Sequence, residues 1–174
     1  LSDTTGCGDT QITLTDTTNP SGLALRWDFG DGDTSTATNP VHTFTNSSNT
    51  QDSSYTVTLI ATASSGCVDT SLQEFVAYAK PRANFSGVEV CESKSTVFSD
   101  SSLAGGAAIT NWDWDFGDTT TSAVQDPSHT YNRYGTYRVK LVVTNGQGCT
   151  DSIVKAIESY PIPFVDFIQD TIVC

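Results

Sequence analysis

Methionine is absent from this chain and positive charge is scarce. Eight lysines and arginines stand against twenty aspartates and glutamates, for a formal charge of −12 at pH 7. A surface so acidic repels phosphate backbones and anionic lipid, which excludes nucleic acid and charged membrane surfaces as partners. No apolar run approaches the ~20 residues of a spanning helix, so membrane insertion is not expected. No signal-peptide pattern is seen either, as for mature secreted material or a fragment of a longer protein. Reactive constellations are missing too. There is no Gly-x-Ser-x-Gly, no His-Glu-x-x-His, no phosphate-cradling glycine loop, and no cysteine with a histidine nearby in sequence. The chain is therefore read as not an enzyme, with no cofactor. Only two histidines occur, and a structural hydrogen bond to a neighbouring turn is the simplest role for each. No segment carries a helical period.

What the sequence has is a repeat. Trp27-Asp28-Phe29-Gly30-Asp31-Gly32 recurs 87 positions on as Trp114-Asp115-Phe116-Gly117-Asp118. Alternation puts Trp27 and Phe29 on one face, and Trp112, Trp114 and Phe116 on the matching face. Each segment reads as a half-buried strand entering a Gly/Asp turn, with the aromatic residues as core. Asn39-Pro40-Val41-His42-Thr43-Phe44 returns at the same offset as Asp126-Pro127-Ser128-His129-Thr130-Tyr131. Tyr55–Leu59 and Gly66-Cys67-Val68-Asp69 return 82 positions on, at Tyr137–Leu141 and Gly148-Cys149-Thr150-Asp151. The offset shifts only in polar connections, as a shared β framework allows.

Strands are expected at Gln11–Asp16, Leu25–Phe29, Thr34–Thr38, Pro40–Thr45, around Tyr55–Ala61, and at Leu72–Tyr78. The second copy repeats them at Thr96–Asp100, Asn111–Phe116, Ser122–Tyr131, Thr136–Thr144 and Ser152–Ser159. The expected division is residues 1–79, 80–163, and 164–174 as the first strand of a third module. One proline at each joint, with no Gly/Ser spacer, suggests a semi-rigid linear rod.

A Trp-Asp-Phe-Gly-Asp-Gly turn, then Asn-Pro-x-His-x-Phe/Tyr, then Tyr-x-Val-x-Leu resembles the PKD (polycystic kidney disease) domain. The motifs occur in order in both copies and span nearly the whole chain; Thr119 replaces the motif's last glycine in the second. The resemblance implies an all-β fold of two tandem immunoglobulin-like sandwiches. The cysteine placement is similar to that of secreted surface proteins of gliding bacteria. Expected location is therefore extracellular or at the cell surface, and five cysteines suit an oxidising compartment.

Cys7, Cys91 and Cys174 form one register series, and Cys67 and Cys149 the other. The family-style pairing is Cys7 with Cys67 and Cys91 with Cys149. Strand geometry argues against it: in an immunoglobulin-like sandwich those positions fall at opposite ends, some 20 Å apart. A bridge from Cys7 to Cys149 across the joint is the other pairing, leaving Cys67, Cys91 and Cys174 for further modules.

Asp28, Asp31, Asp33, Asp113, Asp115 and Asp118 are candidates for calcium, which some PKD-like modules of secreted proteases hold. The plainer reading is that these carboxylates, with Gly30 and Gly117, build the turns. Asn46 and Asn84 stand in Asn-x-Ser patterns. Thr17, Thr119 and Ser152 lie in Asp-Ser/Thr sequences resembling O-glycosylation sites of gliding bacteria. The expected role is a structural segment (stalk, filament or adhesin scaffold) of a longer PKD-repeat protein. The alternative is a polysaccharide- or protein-binding accessory of a secreted hydrolase. Expected partners are neighbouring modules, self-association into fibres through the edges at Thr34–Thr38 and Ser122–Gln125, and surface polysaccharide or protein.

Overall fold

The computed structural model describes residues 4–19 and 22–166. The expected third-module strand beyond Asp166, with Cys174, lies outside them. Among the described residues every regular element is a strand. None is a helix long and apolar enough to cross a membrane.

The first copy contains β1 (Thr5–Cys7), β2 (Thr10–Thr13), β3 (Ala24–Asp28), β4 (Thr34–Ser35), β5 (Val41–Phe44), β6 (Ser53–Thr62) and β7 (Val68–Tyr78). They form a five-stranded sheet, β1-β7-β6-β3-β4, and a two-stranded one, β2-β5. β1 runs parallel to β7, with Cys7 opposite Tyr78. β3 lies antiparallel to β6, with Trp27 opposite Leu59. The apolar faces close on Ile12, Leu14, Trp27, Phe29, Phe44, Val57, Phe75 and Ala77. Alternation places Trp27 of β3, Val57 of β6, and Phe75 and Ala77 of β7 on one face of the larger sheet, because successive strand residues point to opposite sides.

The second copy runs β8 (Phe85–Gly87), β9 (Val90–Cys91), β10 (Ser95–Asp100), β11 (Ile109–Asp115), β12 (Thr121–Ser122), β13 (Ser128–Thr130), β14 (Gly135–Asn145) and β15 (Thr150–Tyr160). Its sheets are β12-β11-β14-β15-β9 and β13-β10-β8. The parallel pair recurs, with Cys91 opposite Tyr160. Buried here are Phe85, Phe98, Trp114, Phe116, Tyr131, Val139, Leu141 and Ile157.

The expected strand Ser122–Tyr131 is interrupted between β12 and β13. Pro127 has no N–H for a ladder, and its carbonyl instead accepts the Phe98 N–H at 2.9 Å. Pro40 does the same for Leu14, also at 2.9 Å. β7 starts at Val68, earlier than expected, because its ladder with β6 continues to Thr62. Trp112 departs from the core expectation. It is half-buried, and its indole N–H donates to Asp100 at 2.8 Å.

Grouping by packing differs from division by repeat. One compact unit comprises Leu1–Ala83, Ser102–Asn111 and Val143–Asp151; the other comprises Asn84–Ser101, Trp112–Val142 and Ser152–Cys174. The first unit thus holds two segments from the second copy, each a turn region with adjoining strand ends.

Candidate functional site

Each hairpin is a self-contained hydrogen-bonded turn. Asp28 Oδ1 accepts the Gly30 N–H at 3.0 Å, and Asp31 Oδ1 accepts the Asp33 N–H at 3.1 Å. In the second copy Asp115 serves Gly117 at 2.9 Å and Asp118 serves Thr120 at 3.2 Å. Both glycines have left-handed backbone, φ 79° and 78°. A Cβ on Gly30 would lie 2.6 Å from the Thr56 carbonyl oxygen, and one on Gly117 2.8 Å from that of Arg138. Gly117→Ala therefore meets both a backbone clash and a positive φ. It is expected to cost about 1–3 kcal/mol, read as a lowered denaturation midpoint.

A histidine locks each turn to the core. His42 Nε2 lies 2.6 Å from Asp31, and His129 Nε2 lies 2.7 Å from Asp118. The same rings stack on the hairpin aromatics, His42 on Phe29 at 4.0 Å and His129 on Phe116 at 4.3 Å. Burial works against ionising Asp31, but bonds from His42 and the Asp33 backbone outweigh it and hold its pKa below the ordinary value. Asp118 is lowered in the same way, with burial opposed by Thr120 and His129. A carboxylate with a depressed folded pKa stabilises the fold above its unfolded pKa of about 3.9 and loses that contribution as pH falls through the folded value. Asp118→Asn is therefore expected to reduce the loss of stability on acidification below about pH 4. Urea midpoints at neutral and acid pH would show it.

The aspartates do not converge as a repeated metal site. Among the described residues one group of metal-type ligands gathers within 4.8 Å: Asp31, Asp33 and His42. The second copy has Thr120 in place of Asp33. Ca²⁺ takes oxygen ligands, whereas this set includes an imidazole, and Asp31 already serves the turn. Asp113 and Asp115 are exposed on β11.

The structure brings Cys7 and Cys149 together in a disulfide, with Cα atoms 5.6 Å apart. Cys67 and Cys91 are free. Both bonded cysteines belong to the first compact unit, and polar contacts surround them there. Asn145, 1% exposed, donates to the carbonyls of Ala79 and Ala104 and accepts the N–H groups of Gln147 and Cys149. Asp52 accepts the Ala79 N–H at 2.8 Å and the Gln147 amide at 2.6 Å. Gly105, at φ +77°, lets the backbone approach: a Cβ there would sit 2.6 Å from the Ala79 oxygen. Asp52 and Asn145 were not singled out from the sequence. No spacing rule links residues so far apart, although Asn145 where the first copy has Ala63 was a visible departure.

Asn46 is corrected as a glycan acceptor. It is 8% exposed, and its Nδ2 donates to the Gln51 and Ala77 carbonyls at 3.0 and 2.7 Å. That nitrogen is a structural donor, inaccessible to a glycan. Asn84, Thr17, Thr119 and Ser152 are exposed.

Two immunoglobulin-like sandwich modules, each closed by the same histidine-pinned hairpin, define a tandem-repeat β protein. Residues 2–77 and 78–159 both match the PKD domain. The chain belongs to the PKD domain family. It is similar to the PKD1 domain of Vibrio anguillarum Epp, at 27% identity over 49% of this chain and 99% of that one, TM-score 0.46. Similarity to the PKD1 domain of the Vibrio cholerae metalloprotease PrtV is 30% over 47% and 98%, TM-score 0.43. A structure described for carbohydrate-binding modules of the beta-sandwich super family shares 28% over 48% of this chain and 36% of its own, TM-score 0.47.

Proposed function

We propose that this chain is a mechanical scaffold segment of an extracellular PKD-repeat protein, acting in a stalk, filament or adhesin. The observation that carries this reading is the Cys7–Cys149 bridge, which spans 142 positions. Tension applied along the chain passes through that bridge and bypasses nearly everything between its ends. Hydrogen bonds alone would let each module unravel in turn; a covalent shunt does not. Such a bond persists in an oxidising compartment, which supports a location outside the cell. The acidic surface keeps a long repeat array soluble through like-charge repulsion.

Single-molecule pulling from the two ends tests this. The reduced chain is expected to extend by about 500 Å more than the oxidised chain, at ~3.5 Å per freed residue. Equal extension in both states would overturn the scaffold reading. Retention of the oxidised chain on insoluble polysaccharide would favour the accessory-module reading instead.

A further inference from the structure

Cys67 and Cys91 are free, yet each repeats the local structure of a bonded cysteine. Cys7 ends β1 opposite Tyr78, and the next residue, Gly8, donates its N–H to the Tyr78 carbonyl at 2.8 Å. Cys91 ends β9 opposite Tyr160, and the next residue, Glu92, donates to the Tyr160 carbonyl at 2.8 Å. Cys149 closes a turn in which Asn145 N–H reaches the Cys149 carbonyl at 3.0 Å and Gly148 N–H reaches Asn145 at 2.9 Å. Cys67 closes the same turn, with Ala63 to Cys67 at 2.8 Å and Gly66 to Ala63 at 2.9 Å. The glycines before the two cysteines match as well, at φ +86° and +80°.

Burial sharpens the comparison. Cys149 is 1% exposed, whereas Cys67 is exposed. Pro81 and Ala83 are buried, while their counterparts Pro163 and Val165 are exposed, Val165 to 86%. The turn cysteine is thus covered where it is bonded and uncovered where it is free, while Cys7 and Cys91 are both half-buried.

We propose that Cys67 and Cys91 are the two complementary halves of a recurring bridge, each bonding a further PKD module of this kind. Cys91 takes the turn cysteine of the module that follows, and Cys67 takes the strand-end cysteine of the module that precedes. Cys91 lies between Cys7 and Cys149 in sequence, so successive bridges overlap and no module can be drawn out independently. Each bridge forms from two thiols, which lose two protons and two electrons to a disulfide oxidant such as oxidised glutathione, itself reduced to two thiols. This rests on the scaffold reading above and names the partner that reading requires.

The test duplicates the chain in register. Residues 1–166 are followed directly by a second full copy carrying Cys174→Ser, since Leu1 precedes Cys7 by the same six positions as Phe85 precedes Cys91. The protein is reduced, then oxidised in a glutathione buffer and mapped by peptide mass spectrometry without reduction. The expected result is a Cys7–Cys149 bridge in each copy plus one from Cys91 of the first copy to Cys67 of the second. The last should form at a rate within about tenfold of the others, because a tethered neighbour supplies a similar effective concentration. Cys91→Ser in the first copy should leave Cys67 of the second open to alkylation. Should both Cys7–Cys149 bridges form while Cys91 and the second Cys67 stay alkylatable, the proposal is overturned and the scaffold reading stands. Failure of Cys7–Cys149 itself to form removes both.

Discussion

The double substitution Cys7→Ser/Cys149→Ser is expected to lower unfolding free energy by about 3–5 kcal/mol, among the largest losses available in this chain. The bridge closes a span of 142 positions, and constraining so long a loop removes much of the freedom of the unfolded chain; the chain-entropy relation gives about 5 kcal/mol. Removing both sulfurs together avoids leaving one half of the bridge as an unpaired thiol. Cys149 is buried beside Asn145, so serine also places an extra hydroxyl where a weakly polar sulfur sat. Urea unfolding followed by tryptophan fluorescence reads the change. A reducing agent should bring the parent to the same midpoint and leave the variant unmoved. A variant midpoint equal to that of the oxidised parent would show that the polar contacts of Asp52 and Asn145 suffice without the covalent bond.

The sheets were readable from the chain because alternation and turn chemistry are local. Trp27 and Phe29 share one face of their segment by period alone, and the left-handed Gly30 and Gly117 follow from a turn that tolerates no other residue at low cost. The cysteine pairing had two readings in the sequence because it depends on residues 142 positions apart, information held by no single segment. Asp52 and Gln147 bond at 2.6 Å across 95 positions, a contact no local pattern announces. Asn46 matched an acceptor motif of three residues, yet a carbonyl at Ala77 captures its amide. Tertiary context also overrode period at Trp112, where a carboxylate at Asp100 holds the indole in a half-buried place.

Trp112 and its neighbour two positions on provide a direct contrast. Trp114→Ala is expected to cost about 3–5 kcal/mol, the usual range for emptying a buried aromatic site. Trp114 is 1% exposed, with its ring 5.0 Å from Phe85 and 5.5 Å from Phe98. Its indole N–H satisfies the Val124 carbonyl at 2.9 Å, an acceptor that truncation would strand. Trp112→Ala should cost about 1–2 kcal/mol, since a half-buried ring leaves a smaller void and Asp100 can be rehydrated. Denaturant midpoints of the two variants decide the matter through their order. If Trp112→Ala proved the costlier, the aromatic core would not be organised around Trp114, and the equivalence of the two hairpins would lose its physical basis.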